Sequence, residues 1–143
     1  MTYDLAIFDQ ERTPREPAEF DQFYEAQTNW LEPHSYSDST VCTKAMRNWY
    51  LDMIKYFPPL SIVGDPAAVS DDEGIRNSIA DYAIGTSIIY VAFQWPKQEA
   101  AYETCFRLAK KHGVVFFDVS ADNGAVYFPT GDGELVMLFH ING

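Results

Sequence analysis

Ile88-Ile89-Tyr90-Val91-Ala92-Phe93, then Pro96 and a helical run closed by Gly113, then Val114-Val115-Phe116-Phe117-Asp118-Val119-Ser120: the fold turns on this stretch. The first run is continuously apolar, as a central strand buried on both faces requires. Pro96 suits a first helical turn, Glu99 and Glu103 lie near the positive end of the helix dipole, and Lys110, Lys111 and His112 complement its C-terminal end. A right-handed crossover through this helix makes the Ile88 and Val114 strands parallel. Asp122-Asn123-Gly124 signals a hairpin into Ala125-Val126-Tyr127-Phe128, and Thr130-Gly131-Asp132-Gly133 turns into a last apolar strand running from Glu134 to Ile141.

Toward the N-terminus, Tyr3-Asp4-Leu5-Ala6-Ile7-Phe8 reads as a first strand. Phe20, Phe23, Tyr24, Gln27, Trp30 and Leu31 recur at helical spacing and predict a helix over about 16–31, with Pro17 in its first turn. Residues 32–42 form a connection, and Thr43 is placed as the N-cap of a second helix. There Met46, Trp49, Tyr50, Met53, Ile54 and Phe57 form one apolar stripe, ended by Pro58-Pro59. Residues 58–81 have no sustained period and carry five acids against one arginine, so they read as a long acidic loop that is either a binding element or a mobile, solvated segment. The expected fold is α+β in a single domain, 1–143. It is a two-layer sandwich of one mixed, mainly antiparallel sheet with three helices packed on one face, ferredoxin-like in its second half.

A chain of 143 residues with 47% hydrophobic and 15% aromatic residues fills one core. The net charge of -11 opposes binding along a phosphate backbone, so nucleic acid is not expected as a partner. No apolar run approaches the roughly 20 residues of a membrane span, and the first residues lack a basic segment followed by an apolar one, which predicts neither export nor membrane insertion. Cys42 and Cys105 read as reduced, buried thiols of a cytoplasmic protein.

No segment spells out a reaction. His34, His112 and His140 are isolated from one another and from the cysteines, so no metal site and no cofactor are expected. Asp65, Asp71, Asp72 and Glu73 lack the alternation of a calcium loop. There is no nucleophile elbow, and Gly131-x-Gly133 lacks the third glycine, lysine and helix of a phosphate cradle. Glu32, His34 and Asp38 are the one cluster with acid–base potential, although a histidine in a helix connection is more often a surface residue. Asp118 interrupts an apolar strand and either faces solvent or is a hydrogen-bonded buried acid.

Phe23-Tyr24-Glu25-Ala26-Gln27-Thr28-Asn29-Trp30, Trp49-Tyr50-Leu51-Asp52-Met53, Asp81-Tyr82-Ala83-Ile84-Gly85 and Lys111-His112-Gly113 through Ser120, with Thr2 to Leu5, together resemble a family of small, uncharacterised bacterial cytosolic proteins. The resemblance covers residues 2–128 and implies a bacterial cytosolic setting. It brings no established activity and no catalytic residues.

Three functions are compatible with these features. The first is a non-catalytic binding domain that occludes a basic partner, as immunity proteins do for toxins delivered between bacteria. Its acidity is uneven: residues 1–39 hold nine acids and two basic residues, residues 58–82 five and one. The interface candidates are Glu19, Glu25, Asp38, Asp71, Asp72 and Glu73, with the element-end aromatics Tyr36, Trp95 and Tyr127. The second is a sensor with a pocket lined by Tyr82, Tyr90, Trp95 and Tyr127, and the third an enzyme using His34 or Asp118 with the acids of the 58–81 loop. Leu135 to Phe139 is too apolar to lie bare, so it is expected either inside the sheet or as the strand that builds a homodimer.

Overall fold

The computed structural model describes residues 2–63 and 72–141. The elements run β1 (Thr2–Phe8), α1 (Pro17–Gln27), α2 (Lys44–Met53), α3 (Leu60–Val63), α4 (Glu73–Asn77), β2 (Asp81–Ile84), β3 (Ile88–Gln94), a 3-10 turn (Trp95–Lys97), α5 (Gln98–His112), β4 (Val115–Phe117), β5 (Ala125–Pro129) and β6 (Leu135–His140). The six strands form one sheet in the order β2-β3-β1-β4-β5-β6, with every pair of neighbours antiparallel. The α+β expectation therefore holds.

Because β1 is antiparallel to both β3 and β4, those two run parallel, as the crossover through α5 requires, with β1 between them. In the same way β1 and β2 run parallel with β3 between them. The ferredoxin-like arrangement thus takes its central strand from the start of the chain. The hairpins at 118–124 and 130–134 add β5 and β6 beyond it.

The helices occupy both faces of the sheet, where the sequence led us to expect one. Side chains of β1 alternate: Leu5 and Ile7 join a core with Met46 and Trp49 of α2 and Cys105 and Leu108 of α5, whereas Ala6 and Phe8 join a second core with Phe20 of α1. Phe117, Val126 and Phe128 also lie on that second side, so it needs its own cover. Phe20 supplies it, packing edge-on against Phe8 (5.4 Å), Phe117 (5.3 Å) and Phe139 (5.5 Å).

On the first face α2 is tied to α5 twice. The Trp49 indole donates to the Cys105 carbonyl (3.3 Å), and Asp52 Oδ2 accepts from His112 Nε2 (2.6 Å) and Lys111 Nζ (3.0 Å). The His112 bond foremost holds the Asp52 carboxyl well below its usual range. Residues read as dipole partners of α5 thus also clasp its neighbour. Gly113 ends α5 in the left-handed region (φ 68°), where a side chain would be strained.

Two further expectations change. Thr43 holds the N-cap position of α2, but its hydroxyl makes no capping bond and is buried without a partner among the described residues. The segment 58–81 contains structure at both ends. α3 begins where Leu60 N–H donates to the Ala80 carbonyl (2.8 Å), and Asp72 caps α4 by accepting from the amides of Gly74 (2.8 Å) and Ile75 (3.3 Å). Asp65 and Asp71 lie outside the described residues.

Candidate functional site

α1 ends early. The Thr28 hydroxyl turns back onto the Tyr24 carbonyl (2.9 Å), and Trp30 adopts a left-handed backbone (φ 55°). That conformation costs a non-glycine residue roughly 1–2 kcal/mol, so the surroundings must hold it. They do so through the indole, which meets Tyr36 edge-on at 5.1 Å and Tyr90 at 6.3 Å. The predicted helix to residue 31 therefore stops at Gln27, and Leu31, expected on its apolar stripe, stands 84% exposed.

The connection after Trp30 is fastened onto the turn between β2 and β3. Glu32 Oε1 accepts from Thr86 N–H (3.0 Å) and pairs with His34 Nε2 (2.5 Å), and Ile84 N–H donates to the Tyr36 carbonyl (2.8 Å). The Tyr36 hydroxyl accepts from the Glu32 amide (2.7 Å). Gly85 allows this approach, because a Cβ there would meet Glu32 Oε2 at 3.2 Å. Partial burial pushes Glu32 up, but the bonds from His34 and Thr86 outweigh it and leave its pKa lowered, while the Glu32 bond foremost raises that of His34. His34 is therefore a fastener between two segments, with both ring nitrogens engaged.

Between α1, this connection and the sheet lies an open cleft of about 420 Å³. Its walls are Tyr24, Thr28 and Trp30, and Asp81, Ala83, Tyr90 and Ala92 line it from β2 and β3. The strand registers explain its character. Ala92 of β3 stands opposite Asp81 of β2 on one side and Asp4 of β1 on the other, and in the next row Tyr90 stands between Ala83 and Ala6. Two carboxylates thus flank a small residue in one row, where side chains on neighbouring strands share a face.

Asp4 is held in place. Its Oδ2 accepts from the Tyr90 hydroxyl (2.5 Å), its Oδ1 from Thr2 (2.8 Å), and its amide donates to Ser120 Oγ (2.8 Å). Burial first, and then the Asp4 bond and charge, push the Tyr90 phenol up. Burial followed by the Asp4 charge pushes Tyr24 up to about 12. Both tyrosines stay neutral at ordinary pH and no lining residue is basic, so the cleft sets the Asp81 carboxylate among aromatic walls, with Asp4 close by in the same strand row. That combination suits an ammonium or guanidinium group, which gains from charge-assisted hydrogen bonds and from ring faces.

No family model, curated protein or solved structure matches this chain. Among the described residues, no helix is long and apolar enough to cross a membrane.

The residues singled out from sequence fall in several places. Glu19 and Glu25 are exposed on α1, and Asp38 is exposed beyond Tyr36, accepting from the Thr40 amide (2.9 Å) and hydroxyl (2.6 Å). Tyr36 backs the cleft through Trp30. Asp72 and Glu73 belong to α4, and Trp95 stands 42% exposed at the end of β3, edge-on to Tyr3 at 5.8 Å. Tyr127 is half-buried, with its ring edge-on to Phe106 of α5 (5.1 Å). The pocket expected between Tyr82, Tyr90, Trp95 and Tyr127 does not form, because Tyr82 lies on the α2 side with its hydroxyl on the Phe57 carbonyl (2.8 Å).

Asp118 is the half-buried acid, raised chiefly by that burial, and it stands by Tyr3, away from the cleft. Sequence reasoning missed Asp4, Asp81, Ala83 and Ala92. The available signal was Asp4, which shares the inward parity of Ala6 and Phe8, so an acid stands on a core-facing row.

Proposed function

We propose that this chain is a non-catalytic binding domain that recognises a basic protein partner by receiving one of its cationic side chains in the cleft. The observation that carries this reading is the cleft lined by Asp81, Tyr24, Trp30 and Tyr90, with Asp4 in register with Asp81 across Ala92. The exposed acids Glu19 and Glu25 on α1 add long-range attraction, which raises the rate of encounter with a basic surface. Leu31, apolar and exposed next to Trp30, offers a contact to the body of the partner. Occlusion of a toxin domain in the bacterial cytoplasm, as immunity proteins achieve, is the more specific form of the same proposal.

Titration with an arginine-rich peptide tests it. Asp81 is exposed, so Asp81→Asn removes one charge-assisted contact and is expected to weaken binding about tenfold, at little expense to the fold. Equal binding by parent and variant would overturn the reading. The cleft volume also favours a second one, a sensor of a small organic cation, since about 420 Å³ falls within the range of ligand sites. Thermal shift with free arginine and simple amines separates the two: a protein-binding domain gains little from them, whereas a sensor gains about 2.7 kcal/mol at a hundredfold excess over the dissociation constant.

A further inference from the structure

The two edges of the sheet differ. At β2 the edge is occupied: Ala80 N–H donates to the Pro58 carbonyl (3.0 Å), Leu60 N–H to the Ala80 carbonyl (2.8 Å) and Ile84 N–H to the Tyr36 carbonyl (2.8 Å). At β6 the only strand partner among the described residues is β5. Sheets normally blunt such an edge with lysine, proline or other charges, because its free amides and carbonyls are a template for another strand. Residues 135–140 contain no lysine, proline or carboxylate, and Val136, Met137 and Leu138 are 44%, 42% and 41% exposed. One blunting device is present: the register passes from Val126–Phe139 to Tyr127–Met137, so Leu138 is an extra residue in a bulge.

We propose that β6 is the seam of a twofold dimer of this chain, formed by antiparallel pairing of the two β6 edges. Charge selects this occupant. The strand itself is uncharged, and of the carboxylates in the turn that leads into it, Glu134 faces Lys110 Nζ at 3.5 Å. Within the seam itself residues 135–140 carry no Asp, Glu, Lys or Arg, so two copies paired along β6 set no like charges against each other there, and the acids Asp132 and Glu134 lie only in the turn at its start. A twofold axis presents the same apolar, uncharged strand from both sides, which is self-complementary. The seam is six residues long and interrupted by the bulge, so it belongs with small interfaces, and the dissociation constant is expected to be of order micromolar.

Sedimentation velocity over roughly 5–500 μM protein tests this, a range that spans such a constant. The mass should rise from 16.3 kDa toward twice that value, and added salt should favour the dimer by screening the net charge. Met137→Lys and Val136→Lys should each keep the chain monomeric over the same range, with thermal midpoints at low concentration close to that of the parent. In the parent alone, amide exchange at Leu135–His140 should slow as concentration rises while that at Ile84 does not, a readout that needs no variant. A constant monomer mass, lysine variants that dimerise as readily as the parent, or β6 exchange that ignores concentration would each overturn the proposal.

Discussion

On one face of the sheet α2 and α5 lie against each other and bury Met46, Trp49 and Cys105 completely, whereas on the other α1 stops at Gln27 and leaves an open space above Ala83 and Ala92. Both faces have apolar strands beneath them. The difference lies in the path of the chain beyond each helix. The α2 stripe continues through Phe57, which packs edge-on to Phe93 at 5.0 Å, and closes its face. The chain after α1 turns at Trp30 and is fastened at Glu32 and Tyr36, so it forms the far wall of a cleft and does not fill it. A filled face serves stability, and the incompletely filled one, with Asp81 in its lining and Asp4 in the same strand row, is the one the proposed recognition uses.

The largest expected difference between the faces is in stability. Trp49→Ala, at a fully buried position, should cost about 3–5 kcal/mol in denaturant unfolding, whereas Ala92→Leu, which adds apolar atoms to open space, should stay within about 0.5 kcal/mol of the parent. Equal losses would mean that both faces are closed. Next in size, Tyr90→Phe removes the hydroxyl that Asp4 accepts and should cost about 1–2 kcal/mol in the same assay, while leaving the aromatic wall in place. No loss would show that Asp4 is not held from this side.

The smallest effect is a dependence on pH at the fastened connection. The raised pKa of His34 means that its contribution is complete below its ordinary 6.5 and is lost as pH rises through the folded value. The lowered pKa of Glu32 means that its contribution is present above 4.5 and lost as pH falls through its folded value. The connection should therefore be tightest between these two ordinary values, with Ile84 amide exchange, corrected for its intrinsic pH dependence, speeding up above neutrality. His34→Ala should flatten that dependence, and an unchanged profile in the variant would remove His34 from the fastening role.

Much of the architecture was legible in the sequence because the relevant signals are local. The apolar run at Ile88–Phe93, the helix closed by Gly113 and the two hairpin turns each fix an element without help from distant residues. The placement of α1 was not legible, since its stripe says that one side is buried but not which face of the sheet receives it. The helix end also escaped, because Trp30 and Leu31 keep the helical period and only the contacts of Trp30 with Tyr36 and Tyr90 reveal the turn. The cleft was hidden for the same reason. Asp4, Asp81 and Ala92 are far apart in the chain and become neighbours only through strand register. The acids near α1 lie on the side of the sheet where the cleft opens, while the separation of Tyr82, Trp95 and Tyr127 from Tyr90 shows that aromatic content alone does not define a pocket.

The most direct measurement compares the parent with Ala92→Leu in titrations with an arginine-rich peptide, followed by backbone amide chemical shifts. This substitution fills the cleft and leaves every charge in place, so it separates insertion of a cationic side chain from general attraction to an acidic surface. The expected result is saturable shifts centred on Ala83, Tyr90 and Ala92 in the parent, and at least tenfold weaker binding in the variant. Shifts spread over the outer acids of α1, with the same affinity in both proteins, would contradict the cleft as the recognition site.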